Sequence, residues 1–201
     1  MNSFLYKHVS KDLVEKVFND LDKKVDKNYC YHNLKHTKRV LKACIDIGSN
    51  YQLNNNEWKI LLTACLFHDY GFIKTHKNHE QIGADLSVAI LKKFNYTSKD
   101  ISSIQSLILI TKPNIFPDST LEIILSDSDL EYLGSNDFES ISEKLKKEWL
   151  HFGKVKSEKD FYEQQYEFVN THKFYCLYSK DKRKKNLIAN ISIAHKKLIK
   201  L

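Results

Sequence analysis

The stretch Leu61-Leu62-Thr63-Ala64-Cys65-Leu66-Phe67-His68-Asp69-Tyr70-Gly71 decides the fold. Its apolar, helix-favouring run ends abruptly in His68-Asp69, and Gly71 follows two residues later. Apolar runs of this kind are normally buried, so this one carries an imidazole and a carboxylate into or beside the core. A buried carboxylate is costly without a partner, and a metal ion is one of the few partners that make its burial favourable. We therefore expect the rest of the chain to supply further ligands and a scaffold that holds them.

Helical windows extend on both sides of this run, and no alternating strand pattern of useful length appears. Only 2 Pro and 5 Gly occur, which is few for a fold built from tight turns. The sequence therefore predicts an all-α protein with a polar loop over residues 72–78. The predicted helices are Lys11 to about Val25, a helix containing Val40 to Ile47 that stops near Gly48, Glu57 to Phe67, His79 to Phe94, Ile101 to Ile110 capped by Ser98, Ser119 to Leu133, Asp137 to His151, Ser157 to about Tyr178 and Asp181 to about Leu198.

The chain of 201 residues is long enough for one sizeable domain, and its 42% of apolar residues argues against disorder. We find no internal repeat and no low-complexity linker. We expect a single domain over residues 1–201. Its core spans about residues 29–150, and residues 151–201 form a helical C-terminal extension packed on that core.

The net charge and the cysteine content limit which binding partners and which cellular compartment we expect. The net charge of +7 permits nucleic-acid binding and equally suits a pocket for a phosphate-bearing small molecule. Much of the charge lies in Lys180–Lys185 and near the C-terminus, where a solvated helix face is the ordinary interpretation. The four cysteines form no CxxC pair and are expected as buried thiols in a reducing cytosol. Because no apolar segment is long enough to span a membrane, we expect a cytoplasmic protein without a membrane partner.

Imidazoles and carboxylates cluster along the chain at helix ends. His32 and His36 stand four residues apart, and His79-Glu80 opens the helix after His68-Asp69. Asp127 and Asp129 close a later apolar helix, where negative charge is unfavourable to the helix dipole. Nitrogen and oxygen donors without thiolates suit a borderline-to-hard divalent ion, and helical bundles build metal sites from facing helices. Each of these residues taken alone is more simply a surface or hydrogen-bonded side chain.

The order of these residues resembles the HD-domain phosphohydrolase superfamily, whose signature is H…HD…D. Tyr31–Thr37 is similar to the YHNxxHT form of one bacterial group, and Leu66–Phe72 is similar to its LFHDxGF. His79-Glu80 resembles its HE, and Asp127–Gly134 resembles its DxDLxYLG. The likeness runs from about residue 29 to about residue 150 and implies an HD-type helical bundle with additional C-terminal helices.

The resemblance implies a ligand set of His36, His68, Asp69 and Asp129. Asp129 is preferred to Asp127 because the family's last ligand stands before or near an apolar residue, as Asp129 precedes Leu130. The implied cofactor is one divalent ion, which could be Mn, Fe, Mg, Zn, Co or Ni. A second ion is not expected, since the segment of residues 111–116 has no histidine.

The resemblance further implies metal-assisted hydrolysis of a phosphate ester of a nucleotide or another small phosphorylated metabolite. Asp69 and Glu80 are the predicted catalytic residues, although Glu80 is equally interpretable as a first-turn carboxylate favoured by the helix dipole. The predicted substrate-binding residues are His32, Lys74, His79 and Lys112. Two alternatives remain, namely a nucleic-acid-associated HD module and a catalytically silent sensor that binds metal or nucleotide.

Overall fold

The computed structural model describes residues 2–201, and helices dominate it. These residues form ten α-helices and two 3-10 helices, and none of them lies in a β-strand. The predicted all-α fold class is confirmed. The α-helices are α1 (Asn2–His8), α2 (Lys11–Lys24), α3 (Leu34–Gly48), α4 (Asn55–Phe67), α5 (His79–Lys93), α6 (Ser98–Leu109), α7 (Thr120–Asp129), α8 (Phe138–His151), α9 (Glu158–Thr171) and α10 (Leu177–Leu198), and the 3-10 helices are η1 (Tyr70–Ile73) and η2 (Glu131–Gly134).

Several helix boundaries differ from the predicted ones for local reasons. Helix α1 was not predicted, and the expected loop over residues 72–78 begins inside the largely buried η1. The prediction of Ser98 as the cap of α6 was wrong, since the Thr97 side chain accepts a hydrogen bond from the Asp100 amide over 3.1 Å. The predicted window over residues 157–178 ends at Thr171, and α10 begins earlier than expected because Cys176 caps it.

The described chain divides into two compact units. The first unit runs from α1 to Asp26 and from His32 to Asp129, so it contains α1 to α7. The second unit comprises Lys27–Tyr31 and Leu130–Leu201, with α8 to α10. The single domain with a core over about residues 29–150 and a packed extension over residues 151–201 stays a prediction.

Helix α4 is the central helix of the first unit. Its side chains are buried from Ile60 to Phe67, and it packs against α1, α3, α6 and α7. A helix that is apolar all round is stable only where neighbours cover every face. A capping box fixes its start, because Asn54 Oδ1 accepts from the Glu57 amide over 3.0 Å and Glu57 Oε2 accepts from the Asn54 amide over 2.8 Å. The buried helix predicted to deliver His68 is therefore present.

Two glycines bring η1 and α5 into direct contact. A Cβ atom on Gly71 would lie 1.9 Å from the backbone oxygen of His79, and one on Gly83 would lie 3.0 Å from the Gly71 nitrogen. No side chain fits at Gly71, so the start of α5 packs against the backbone that follows Asp69. This close approach brings His79 and Glu80 next to the end of α4.

The second unit has its own apolar core, built from α8, α9, α10 and η2. Its largest fully buried side chains are Phe138 and Phe161. Asn190 on α10 donates to the backbone oxygens of Leu133 and Ser135 over 2.8 and 2.9 Å, so a buried amide satisfies the carbonyls of η2 and the residue after it. Helix α10 thus has one face held by the unit and an opposite face turned outward.

Candidate metal centre

Three side chains from two neighbouring helices converge in the first unit. His36 lies in the first turn of α3, and His68 and Asp69 follow the last residue of α4. His36 Nε2 and His68 Nε2 are 3.1 Å apart, and Asp69 Oδ2 lies 3.2 Å from the first and 3.3 Å from the second. All three side chains are buried. One nitrogen or oxygen from each residue therefore points to a common place, as the donors of a metal site do.

Asp69 Oδ2 is buried, and within residues 2–201 its contacts with His36 Nε2 and His68 Nε2, 3.2 and 3.3 Å away, do not have the geometry of regular hydrogen bonds. Leaving a buried acceptor unsatisfied costs about 1–3 kcal/mol, and more when the group is charged. The nearby His68 charge outweighs burial and holds the pKa of Asp69 well below its usual range, so this carboxylate is ionised. A buried anionic oxygen beside two imidazole nitrogens fits a divalent cation.

The ring of His68 is oriented for coordination by the turn that precedes it. His68 Nδ1 donates to the backbone oxygen of Cys65 over 2.7 Å, so the proton of the neutral ring stays on Nδ1 and Nε2 keeps its lone pair. Burial lowers the pKa of His68, but the charges of Asp69 and Asp129 outweigh it and raise the pKa to about 9. In the metal-free protein His68 therefore carries a second proton that a metal would have to displace.

The ring of His36 is held differently. Arg39 donates to His36 Nδ1 over 2.8 Å, so a neutral His36 carries its proton on Nε2. Coordination through Nε2 would require the proton to move to Nδ1 and the Arg39 guanidinium to turn away. Asp69 is thus ready for a cation, whereas His68 must first lose a proton and His36 must move its proton to Nδ1.

Asp129 ends α7 beside the same cluster. Its Oδ1 lies 3.0 Å from His36 Nε2 and 3.7 Å from His68 Nε2. Burial raises the pKa of Asp129, but the contact with His36 and the charge of His68 outweigh it and lower the pKa. Asp127 is fully buried two residues earlier. The geometry is consistent with the predicted preference for Asp129 as the fourth ligand, which stays a prediction.

His79 and Glu80 extend the cluster on its α5 side. His79 Nδ1 lies 3.1 Å from the backbone oxygen of His76 and 3.6 Å from Glu80 Oε2, while its Nε2 lies 3.5 Å from Asp69 Oδ1. Burial lowers the pKa of His79, and the contact with Asp69 outweighs it and raises the pKa. Glu80 is buried in the first turn of α5, and its catalytic role and its role as a first-turn carboxylate both stay predictions. The two residues form a chain of contacts that ends on Asp69 Oδ1, while Asp69 Oδ2 contacts His36 and His68.

His32 stands before α3 rather than on it, in a group of rings beside the donors. Its ring stacks on Phe72 with centroids 4.4 Å apart and planes 10° apart. The Phe72 ring also lies 4.2 Å from that of His79, and the His32 and His36 centroids are 5.9 Å apart. Phe72 thus contacts both predicted substrate-binding histidines.

The two predicted substrate-binding lysines lie on connectors. Lys74 is exposed directly after η1, and Lys112 is half-buried in the turn after α6. Within residues 2–201 neither side chain makes an ion pair or hydrogen bond with the donor cluster. Their role as phosphate contacts stays a prediction.

Sequence reasoning missed the support of the residue after the His-Asp pair. The Tyr70 hydroxyl donates to Asp20 Oδ2 over 2.5 Å, which joins η1 to α2. The helical spacing of Val17 and Leu21 could have revealed Asp20, because it places a carboxylate on a buried face of α2. Arg39 and Phe72 carry no comparable signal, since their roles depend on helices that meet only in the folded chain.

Residues 33–131 match the family model of the HD domain. Over 87 residues, or 42% of this chain, the sequence is 31% identical to an uncharacterised protein of Clostridium beijerinckii. That alignment spans 55% of the relative, so the chain spans about half the length of the curated protein that it matches. The crystal structure of a predicted HD superfamily hydrolase from an uncultured Thermotogales bacterium matches with a TM-score of 0.65 at 15% identity. The match covers 100% of this chain and 98% of that chain and shows a common fold.

Proposed function

The chain belongs to the HD-domain superfamily through residues 33–131, a group of metal-dependent hydrolases, and on this premise we propose that it hydrolyses a phosphate ester of a nucleotide or another small phosphorylated metabolite. The single observation that carries the proposal is the convergence of two imidazole nitrogens and a buried, ionised carboxylate from His36, His68 and Asp69. A buried carboxylate needs a positive partner, which is the protonated His68 in the metal-free protein and would be the ion in the loaded one.

The predicted ligands are His36, His68, Asp69 and Asp129. Two imidazoles and two carboxylates suit Mn, Fe, Zn, Co, Ni or Mg, and the donor set alone does not choose among them. An ion held by these residues would lower the pKa of bound water from about 15.7 toward 7 and would polarise a phosphoryl oxygen.

The protein's own part in the chemistry is to orient the attacking water and to move its proton. We assign the first task to Asp69 Oδ1, because its lowered pKa makes it an acceptor that stays ionised while it holds a hydrogen bond. His79 lies 3.5 Å from that oxygen, and Glu80 lies 3.6 Å from the other side of the His79 ring. The buried Glu80 carboxylate supports a protonated His79, which can give its proton to the leaving oxygen, while the ionised Asp69 carboxylate accepts the proton of the attacking water.

The predicted substrate contacts surround this centre in two groups. His32 and His79 flank Phe72 beside the donors, which supports a role for both histidines near the phosphoryl group. Lys74 and Lys112 would meet phosphate charge only if their connectors bring them to the bound substrate. This difference predicts that substitution of either histidine lowers turnover more than substitution of either lysine.

Metal content and turnover test the proposal together. The purified full chain should contain about one divalent ion, and a panel of phosphomonoesters, nucleotides and cyclic nucleotides with added Mn²⁺ should reveal at least one substrate. Chelation should abolish that activity, and restored metal should recover it. A metal-loaded protein that hydrolyses nothing in the panel would contradict the hydrolase and favour the silent sensor, whereas a protein that takes up no ion would remove the metal centre itself.

A further inference from the structure

The positive charge of the chain is concentrated at one place. Between Lys173 and Leu201 the sequence has nine lysine and arginine residues and a single acidic residue, Asp181. Because the whole chain carries +7, the remaining 172 residues carry a formal net charge of −1. The excess charge therefore belongs to α10 and its flanks, not to the protein as a whole.

Most of this charge lies on the outward face of α10. Arg183 pairs with Glu131 over 2.8 Å, and Lys197 pairs with Glu139 over 2.8 Å, so these two cations serve the second unit. The side of α10 that carries Asn190 and Ala194 is buried in the same unit. The remaining lysines of α10 are exposed, and they are Lys180, Lys182, Lys184, Lys185 and Lys196.

Three large aliphatic side chains lie among these lysines. Leu177, Ile188 and Ile199 are 82%, 58% and 67% exposed. Successive members are eleven residues apart, which is three helical turns with an offset of about 20°, so the three form one line about 33 Å long. Lys180 and Lys184 lie on one side of the line, and Lys185 and Lys196 lie on the other. The helix thus presents a sparse apolar line between two rows of cations.

We propose that this outward face of α10 binds an anionic membrane surface. A helix lying in the interface places its aliphatic side chains at the boundary of the acyl chains and its lysines among the headgroup phosphates. Such a position engages both the exposed lysines and the exposed aliphatic side chains of α10. The proposal departs from the expectation of no membrane partner, which concerned a spanning segment. Within residues 2–201 no helix has the length and apolar character needed to cross a membrane.

Nucleic-acid binding and self-association each account for fewer of the exposed side chains on this face of α10. A phosphate backbone would use the lysines and leave the aliphatic line in water, whereas proteins that bind single strands stack bases on aromatic or arginine side chains. The exposed cations of α10 are all lysines, and its arginine is already paired with Glu131. Two copies meeting through the aliphatic line would oppose two positively charged rows, which repel each other.

The expected binding is moderate and sensitive to salt. Each lysine near an anionic surface contributes about 1 kcal/mol, or roughly fivefold in affinity, at ordinary ionic strength. The full chain should therefore sediment with vesicles of phosphatidylcholine and phosphatidylglycerol and not with vesicles of phosphatidylcholine alone. Added salt should weaken the binding, because the Debye length falls from about 10 Å at 0.1 M to about 3 Å at 1 M.

Two sets of variants separate the contributions of charge and apolar surface. The triple variant Lys184→Gln, Lys185→Gln, Lys196→Gln should lose about 100-fold in vesicle affinity. The double variant Leu177→Ser, Ile188→Ser keeps every charge and should lose at least about tenfold. Matched controls are Lys92→Gln with Lys93→Gln on α5, and Phe116→Ser at a side chain that is 78% exposed. Circular dichroism melting should show that all variants fold.

Each remaining outcome contradicts the proposal. Failure to bind anionic vesicles at low salt would remove it. Binding of an RNA or DNA duplex that survives Ile188→Ser while vesicle binding is absent would identify the phosphate backbone as the partner. A dimer in sedimentation velocity that Ile188→Ser converts to monomer would identify a second copy as the occupant. None of these readouts depends on metal or turnover, so they are independent of the proposed hydrolase.

Discussion

Asp20 and Asp69 are two buried aspartates of the first unit with opposite surroundings. Asp20 accepts from Lys16 over 2.8 Å, from Lys24 over 2.7 Å and from the Tyr70 hydroxyl over 2.5 Å. The ion-pair partners of Asp69 within residues 2–201 are all imidazoles, and its Oδ2 has no hydrogen bond. Tyr70 links the two carboxylates, since it follows Asp69 in the sequence and its hydroxyl donates to Asp20.

The difference between these carboxylates separates a structural ion pair from a ligand. Lysines remain cations at every pH that the fold tolerates, so the Asp20 cluster is neutralised by the chain itself. Imidazoles can lose their protons and become metal ligands, so the Asp69 cluster can exchange its own positive charge for that of an ion. The comparison therefore predicts that equal substitutions at the two sites have different consequences.

The largest expected effect is that of Asp69→Asn. Loss of a residue that only supports a metal ligand typically costs 10–100-fold in metal affinity, and loss of a ligand itself should cost at least about 100-fold. Activity should fall with the metal, because both depend on the same carboxylate. The metal-free protein should also lose stability at pH 7, since the lowered pKa of Asp69 and the raised pKa of His68 both stabilise the folded state there. Metal content, initial rates and melting curves of the same preparations check this prediction.

The matched variant Asp20→Asn should lose stability only, with a decrease of about 1–2 kcal/mol in the free energy of unfolding. Metal content should stay near that of the parent, because Asp20 contributes no donor to the cluster. If Asp20→Asn instead lost its metal while keeping its stability, the division between a structural and a ligand carboxylate would be wrong. Denaturant unfolding at neutral pH, with metal measured in parallel, makes the comparison.

Acid pH tests the Asp20 cluster in the parent protein. Burial raises the pKa of Asp20, but the hydrogen bonds from Lys16, Lys24 and Tyr70 outweigh it and lower the pKa to about 2. Its unfolded value is about 3.9. A lowered pKa in the folded state stabilises the fold above pH 4 and loses that contribution as the pH falls toward 2. The stability difference between parent and Asp20→Asn should therefore shrink across that window.

The helices and the ligand candidates could be predicted because they depend on local sequence. The run from Leu61 to Phe67 is apolar on every face, and His68-Asp69 stands at its end. The contacts that orient the ligands could not be predicted, because they depend on how helices meet. The Arg39 guanidinium on His36 requires a particular rotation of one helix, and the Tyr70 contact with Asp20 joins residues 50 positions apart.

A smaller change in metal affinity should distinguish two neighbouring carboxylates on α7. Asp129→Asn should lower metal affinity about tenfold or more, because Asp129 Oδ1 lies 3.0 Å from His36 Nε2. Asp127→Asn should change metal affinity by less than about threefold, although its burial predicts some loss of stability. Metal titrations of both variants, corrected for the folded fraction, check the assignment. A larger loss at Asp127 would transfer the ligand role to that residue.

The smallest expected effect is the release of a proton when the imidazole cluster binds a metal ion. His68 has a pKa of about 9 in the metal-free protein, so binding of a divalent ion at pH 7 should release about one proton and affinity should rise about tenfold per pH unit up to pH 9. Because this pKa is raised above the unfolded value of about 6.5, the metal-free fold is stabilised below that pH and loses the contribution as the pH rises through 9. Calorimetric titrations in two buffers of different ionisation enthalpy count the proton directly. Asp20→Asn should release the same number, and a value of zero in the parent would mean that His68 binds the ion without having carried a second proton.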